Sequence, residues 1–168
     1  MALTKLNSAS VIDRLPTGSV LQTIQSHKSD TFTTTSTSYT DITGLSVAIT
    51  PISTSSKILV TVKVSGALWS EGHTYLQIVR GSTAIGNADS AGNRPVCFSS
   101  VGMDAFWKTA DHVHQYLDSP NTTNATTYKI QCRGEYGTLY INRSHRDENA
   151  TDSDQRTSSV ITVQEIKG

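Results

Sequence analysis

Two histidines with strand spacing are the first residues in this sequence that could do chemistry. His112 and His114 are separated by one residue, so a β-strand would place both imidazoles on one face. Imidazoles in that arrangement bind zinc and similar ions, with Asp118 on the same face or His73 from elsewhere as a third ligand. Carboxylates that could orient the imidazoles are sparse nearby. We therefore prefer histidines that face solvent or a subunit interface over a metal site.

An acidic segment, residues 147–154, is the second candidate site. It alternates carboxylates with amides, and its candidate ligands are Asp147, Asp152 and Asp154. Hard cations such as Ca²⁺ take oxygen ligands of this kind. The segment lacks the glycine turn and the terminal glutamate of an EF-hand loop. A solvated loop before the last strand is the preferred interpretation, and we predict no cofactor.

The large aromatic side chains are the third candidate set. If they were exposed together, they could form a platform on which sugar rings stack. In a strand-rich protein, most such side chains belong instead to the core or to a subunit interface, and we favour that alternative. The set is Trp69, Tyr75, Trp107, Tyr116 and Tyr136.

Motifs for catalysis are missing from the sequence. His145-Arg146-Asp147 matches a kinase tripeptide, but no Gly-rich loop or lysine-bearing strand accompanies it. The sequence contains no Gly-x-Ser-x-Gly elbow and no phosphate-binding loop. We therefore predict that the chain is not an enzyme.

The composition favours strands joined by polar loops. Ser and Thr account for 46 of the 168 residues. Thr is β-branched and favours strands, whereas Ser favours turns. A mucin-like stalk would be rich in proline, and this chain has only 4 prolines. A length of 168 residues fits one folded domain.

The charge balance excludes one class of function. Lys plus Arg and Asp plus Glu number 14 each, so the formal net charge is zero. We therefore expect no electrostatic binding to nucleic acid. The same balance lets identical copies approach without long-range repulsion.

The sequence contains no segment that predicts entry into a membrane. No apolar run approaches the roughly 18 residues of a membrane helix, and residues 1–6 lack the continuous apolar run of a signal peptide. We expect synthesis in a cytoplasm, without a signal peptide. Cys97 and Cys132 could pair once, but two buried thiols at strand positions are preferred.

Hydrophobic residues recur with a period of two along most of the chain. The strongest run, residues 58–64, places Ile58, Val60, Val62 and Val64 on one face and predicts a central strand. A Thr-rich pair is expected over residues 31–42, and residues 86–102 are predicted as a long loop. At least eight strands at this spacing predict an all-β fold, a single antiparallel β-sandwich and, more specifically, a jelly roll. Further strands are expected at 20–24, 45–50, 73–80 with its hairpin return 83–85, 106–108, 112–117, 126–132, 138–141 and 159–166.

The first 18 residues differ from the domain that follows, residues 19–168. They are too short and irregular for a domain and too apolar for a simple linker. We predict an extended arm that docks on a partner, with a disordered leader or an edge strand as alternatives. The apolar residues that would dock are Leu3, Leu6, Val11, Ile12 and Leu15.

Several Ser/Thr-rich segments occur in a characteristic order along the chain, at 32–41, 49–60, 80–86, 117–120, 126–129 and 161–168. In that order they resemble the short virion structural proteins of aquatic tailed bacteriophages, the tail-fibre and head-fibre proteins. The resemblance implies a trimeric sandwich on the surface of the virion and no catalytic residues.

Two functions follow as hypotheses. A capsid decoration, cement or head-fibre protein would associate with itself and dock on capsid or tail proteins through residues 1–18. Alternatively, a tail-fibre receptor-binding head would recognise host surface glycans through loops 86–104 and 142–157. A free lectin-like or TNF-like module is a third, weaker hypothesis.

Overall fold

A computed structural model describes residues 11–68, 72–103, 108–149 and 154–168 of the chain. Within these ranges the chain forms eleven β-strands, and no helix is long and apolar enough to cross a membrane. The strands are β1 (Val20–Lys28), β2 (Phe32–Thr34), β3 (Thr40–Ile49), β4 (Lys57–Leu68), β5 (Gly72–Arg80), β6 (Thr83–Ile85), β7 (Ser99–Met103), β8 (Ala110–Asp118), β9 (Thr126–Gly134), β10 (Leu139–Ile141) and β11 (Ser159–Ile166).

The strands form two antiparallel sheets. In sheet A, β4 is central: β11 and then β10 pair along one edge of it, and β8 pairs along the other edge. β1 extends the sheet beyond β11, and β2 extends it beyond β10. In sheet B, β9 joins β3 to β5, and the other edge of β5 pairs with β7 and β6. The predicted β-sandwich is confirmed, whereas these strand orders do not confirm the jelly roll.

The core lies between the sheets and follows from the alternation along each strand. Ile58, Val60, Val62 and Val64 of β4 are all fully buried, because strand geometry turns every second side chain to the same face. Buried residues from the inner face of sheet B oppose them; they are Leu45, Val47, Ile49, Leu76, Ile78, Tyr128, Ile130 and Cys132. The predictions of β4 as a central strand and of the β5–β6 hairpin are confirmed.

The Thr-rich segments do not form the predicted pair. β2 pairs with β10 in sheet A, whereas β3 pairs with β9 in sheet B. Between them, Ser36 bends the chain, because its hydroxyl donates to the Ser38 carbonyl at 2.6 Å and accepts from the Ser38 amide. β3 also runs through residues 40–49 as one irregular strand, since a register shift between Asp41 and Ser46 absorbs Gly44.

The loop and cysteine predictions also need correction. Residues 99–102, predicted as the end of a long loop, belong to β7 and pair with β5, a strand that its Ser and Gly content conceals from sequence patterns. Both thiols are free. Cys132 is buried on β9 as expected, but Cys97 is only half-buried and lies in the loop before β7.

Candidate functional site

The predicted docking arm joins the domain through hydrogen-bonded turns at residues 11–15. Leu3 and Leu6 lie outside the described residues. Val11 is exposed, and Ile12 and Leu15 are half-buried. The turns are closed by hydrogen bonds of 3.1 Å from the residue 14 and 15 amides to the Val11 and Ile12 carbonyls.

Lys167, just beyond the last strand, holds this segment against the sandwich. Its ammonium donates to three backbone carbonyls, those of Ile12, Asp13 and Leu15. Its own carbonyl accepts a hydrogen bond from the Gly18 amide at 2.8 Å. These contacts, which we call the Lys167 clamp, fix the root of the arm beside β11. In the sequence, Lys167 is a single lysine that follows the last predicted strand. No pattern around it predicts that it binds the arm root.

Two rows of uncharged side chains lie on the outer face of sheet A. Register aligns two rows across β1, β11, β4 and β8, and we call them the Gln–Thr face. Within it, glutamine amides donate to threonine hydroxyls on neighbouring strands, from Gln25 to Thr162 at 2.9 Å and from Gln115 to Thr61 at 3.2 Å. The rows consist of Thr23, Gln164, Leu59 and Leu117, and of Gln25, Thr162, Thr61 and Gln115.

Strand β8 gives this face an apolar margin. Val113 is 67% exposed and Leu117 is 53% exposed. Among the described strands, β8 pairs with β4 alone, so its outer edge is left without a strand partner. On either side of the rows lie Lys63, which pairs with Asp111 at 3.1 Å, and Lys57, whose ammonium donates to the Ser119 hydroxyl. Unpaired edges and exposed apolar residues are surfaces on which other chains assemble.

The inner face of β8 ties sheet A to sheet B. His112 is 1% exposed, with its Nε2 2.7 Å from the Thr74 hydroxyl and its Nδ1 2.9 Å from the Ser99 hydroxyl. Burial lowers the pKa of His112 to about 4, although the Asp111 charge opposes the shift. The imidazole is therefore neutral at pH 7, and both ring nitrogens are occupied by hydroxyl partners.

Two more inward residues of β8, His114 and Asp118, have separate partners. His114 stacks on Phe98 with ring centroids 4.8 Å apart, and its buried Nε2 has no hydrogen-bond partner among the described residues. Asp118 contacts Arg80 and Tyr128. The predicted common face of His112, His114 and Asp118 thus exists, but it points into the sandwich, so the prediction that the histidines face solvent or a subunit interface is wrong for His112. Within the described part of the chain, however, no three His, Cys, Asp or Glu residues are grouped for a metal ion.

The carboxylates of the acidic segment are paired with arginines. Asp147 lies 3.2 Å from Arg143 and 2.8 Å from Arg156. Asp154 accepts a hydrogen bond from Arg146 at 2.7 Å. Asp152 is outside the described residues. Guanidinium groups occupy the oxygens that a Ca²⁺ ion would need, so the described carboxylates form an ion-pair network.

The candidate aromatic residues do not share one surface. Trp69 and Trp107 lie outside the described residues. Tyr75 is on the outer face of sheet B, Tyr116 packs against the core, and Tyr136 is exposed in the turn between β9 and β10.

Tyr75 nevertheless belongs to a smaller platform that the sequence did not reveal. The Arg133 guanidinium lies 4.5 Å from the Tyr75 ring centre and 5.5 Å from that of Tyr39. Tyr39 is anchored by its hydroxyl, which donates to the Val96 carbonyl at 2.6 Å. Burial raises the pKa of both tyrosines, so both hydroxyls stay protonated at neutral pH. We call Tyr39, Tyr75 and Arg133 the Arg133 platform.

Comparison with known proteins assigns no family to the chain. A scan against protein-family models found no match, and a search of curated proteins found none.

Proposed function

We propose that the chain is a structural protein of a tailed-phage virion. In this proposal, it forms a homotrimer on the particle surface and is attached by its N-terminal arm, as a capsid decoration, cement or head-fibre protein. The β-sandwich and the order of the Ser/Thr-rich segments, which resembles that of phage virion proteins, support the proposal.

The observation that carries the proposal is the Lys167 clamp. Three carbonyls of the arm root are held by one ammonium beside the last strand. An arm that is already fixed at its root loses less conformational freedom when the preceding residues dock on a partner. A force applied to the arm would also pass through the clamp to β11, which lies inside sheet A between β1 and β4.

The Gln–Thr face supports self-association, and its proposed occupant is a second copy of this chain. Its two rows carry no charge, so two copies meet without like-charge repulsion. Glutamine and threonine side chains both donate and accept, so they can bond to polar groups on the surface of the neighbouring copy. Val113 and Leu117 add apolar area at the margin.

Self-association is tested by Val113→Asp and Leu117→Asp. We expect the wild-type chain to run as a trimer in size-exclusion chromatography with light scattering, and each variant to dissociate. Ile52→Asp is the matched control, because Ile52 is similarly exposed but lies in the loop between β3 and β4. A monomeric wild type, or dissociation by the control alone, contradicts this surface.

Attachment is tested with a chain that lacks residues 1–10. This deletion leaves the clamped turns in place, so the shortened chain should still form trimers. We expect it to fail to bind purified particles that the full chain decorates. Equal binding by both chains refutes attachment through the arm. Quantitative mass spectrometry of particles that finds only a few copies would contradict a capsid decoration.

A tail-fibre receptor-binding head is the second candidate function, and the Arg133 platform favours it. Aromatic rings stack on sugars, and a guanidinium donates to several hydroxyls. In this case Arg133→Ala should abolish adsorption to host cells while the protein remains folded. If antibody against the protein leaves adsorption unchanged, this candidate fails.

A further inference from the structure

A cavity of about 330 Å³ opens at one end of the sandwich, away from the surfaces described above. It lies between the β5–β6 turn and the loop that connects β8 to β9, and its lining includes Arg80, Pro120, Ala125 and Thr127. The volume is at the small end of the range typical of small-molecule sites, about 300 to 1,000 Å³. The cavity can therefore take one sugar-sized group.

Arg80 supplies this cavity with an unused hydrogen-bonding edge. Its Nη1 donates to both oxygens of Asp118, at 2.8 and 2.9 Å, and to the Ser119 carbonyl at 3.4 Å. No described residue accepts a hydrogen bond from its Nε or Nη2, and the side chain is 29% exposed. The Nε/Nη2 edge of a guanidinium matches the two oxygens of a carboxylate.

The position of this guanidinium is set before any ligand arrives. Asp118 is 4% exposed and also accepts a hydrogen bond from the Tyr128 hydroxyl at 2.7 Å. A buried carboxylate held from two sides keeps Nη1 in place and leaves the opposite edge without a partner among the described residues. Preorganisation of this kind lowers the entropy lost on binding.

The local charge favours an anion. Lys57 donates to the Ser119 hydroxyl at 2.9 Å, which places a second cation beside the residue that follows Asp118. Lys57 and Arg80 together outweigh the one carboxylate of Asp118 by a single positive charge. An incoming carboxylate would neutralise that excess.

The rest of the lining suits a carbohydrate. Pro120 and Ala125 offer apolar surface for the C–H face of a sugar ring, and Thr122, Thr126 and Thr127 offer hydroxyls near its rim. We propose that the cavity binds a carboxylate-bearing sugar of the uronic acid class, with the carboxylate on the Nε/Nη2 edge of Arg80. This site goes beyond particle attachment, and it requires neither the arm nor a trimer.

The proposal is tested by NMR titration of the full chain with sodium glucuronate, glucose and sodium acetate. We expect saturable shifts at the backbone amides of Gly81, Ala125 and Thr127 with glucuronate. Binding of glucose or acetate should be at least tenfold weaker. No saturable shift with glucuronate overturns the site. Equal binding of acetate overturns the sugar class, and equal binding of glucose overturns the role of the carboxylate.

Three variants locate the binding. Arg80→Lys keeps the charge beside Asp118 but lacks the two-nitrogen edge, so its Kd for glucuronate should rise at least tenfold. Ala125→Phe fills the cavity from an exposed loop position without touching the ion pair, and it should have the same effect if Arg80→Lys fails to fold. Arg14→Lys, which changes an exposed arginine in the turns at residues 11–15 and outside the cavity, should bind like the wild type. Unchanged binding by Ala125→Phe refutes the location.

Discussion

One nitrogen of Arg80, Nη1, donates hydrogen bonds to both oxygens of the Asp118 carboxylate, at 2.8 and 2.9 Å. Asp118 ends β8 in sheet A, and Arg80 ends β5 in sheet B. The ion pair therefore joins the two sheets at the end of the sandwich. The same contact leaves the second edge of the guanidinium without a partner among the described residues, and Arg80 lines the cavity, so one interaction serves both stability and the proposed ligand site.

Asp118→Asn should destabilise the domain by about 2 to 3 kcal/mol, because hydrogen bonds to a charged group contribute more than neutral ones. Tyr128→Phe removes one of the same hydrogen bonds and should cost about 1 kcal/mol. Asp41→Asn is a control, because the Asp41–Lys129 pair lies on the outside of sheet B with the Asp41 side chain 52% exposed, and it should contribute at most about 1 kcal/mol. Urea denaturation measures all three. An Asp118→Asn cost no larger than that of Asp41→Asn would contradict the role of the ion pair.

His112 should make the domain less stable in mild acid. Its pKa is about 4 in the folded chain, against an ordinary value of 6.5. Between these values the unfolded chain binds more protons, so the free energy of unfolding falls as the pH drops from above 6.5 towards 4. At about 1.4 kcal/mol for each pKa unit, the full loss is about 3 kcal/mol.

The measurement compares wild type with His112→Gln, whose amide retains hydrogen bonding but does not titrate. We expect the free energy of unfolding of the wild type to fall more steeply between pH 7.5 and 4.5. Other titrating groups, including His145, are common to both proteins and cancel in the comparison. Parallel pH profiles would show that His112 is not the group responsible.

Substitutions at the two glycines that flank β6 distinguish the cost of backbone strain from the cost of steric overlap. Both have positive φ, +60° at Gly81 and +65° at Gly86. A methyl group at Gly81 meets nothing within 4 Å, whereas one at Gly86 lies 2.9 Å from Tyr116 Cγ. Gly81→Ala should cost about 1 to 2 kcal/mol for the left-handed backbone alone. Gly86→Ala should cost about 1 to 3 kcal/mol more, since Tyr116 must move. Equal losses on thermal unfolding would contradict the packing of Tyr116.

Removing the Lys167 clamp should expose the arm root to protease. Lys167→Met deletes the ammonium that binds three carbonyls of residues 12–15, so trypsin should cut after Arg14 several-fold faster than in the wild type. Lys129→Met is the matched control, since Lys129 pairs with Asp41 alone among the described residues, on the outside of sheet B. Mass spectrometry of the products identifies the cut. Equal cleavage rates in Lys167→Met and wild type would refute the clamp.

The fold class, and the face of the sheet to which each side chain points, could be predicted from the sequence, because both depend on local geometry. Alternation along residues 58–64 correctly predicts a buried strand in the middle of a sheet. His112, His114 and Asp118 are separated by even numbers of positions along one strand, and this spacing correctly predicts that they share a face. A strand turns successive side chains to opposite sides whatever surrounds it, so spacing alone determines these relationships.

The partners of those side chains were decided only by the tertiary structure. Spacing could not predict that Asp118 would meet an arginine 38 residues away, or that Lys167 would hold the chain 152 residues before it. It also misassigned the Thr-rich segments to one pair, because a bend at Ser36 sends β2 and β3 to different sheets. Local periodicity determines which way a side chain points. What it meets depends on which strands and sheets come together, and that choice is made by packing across the whole chain.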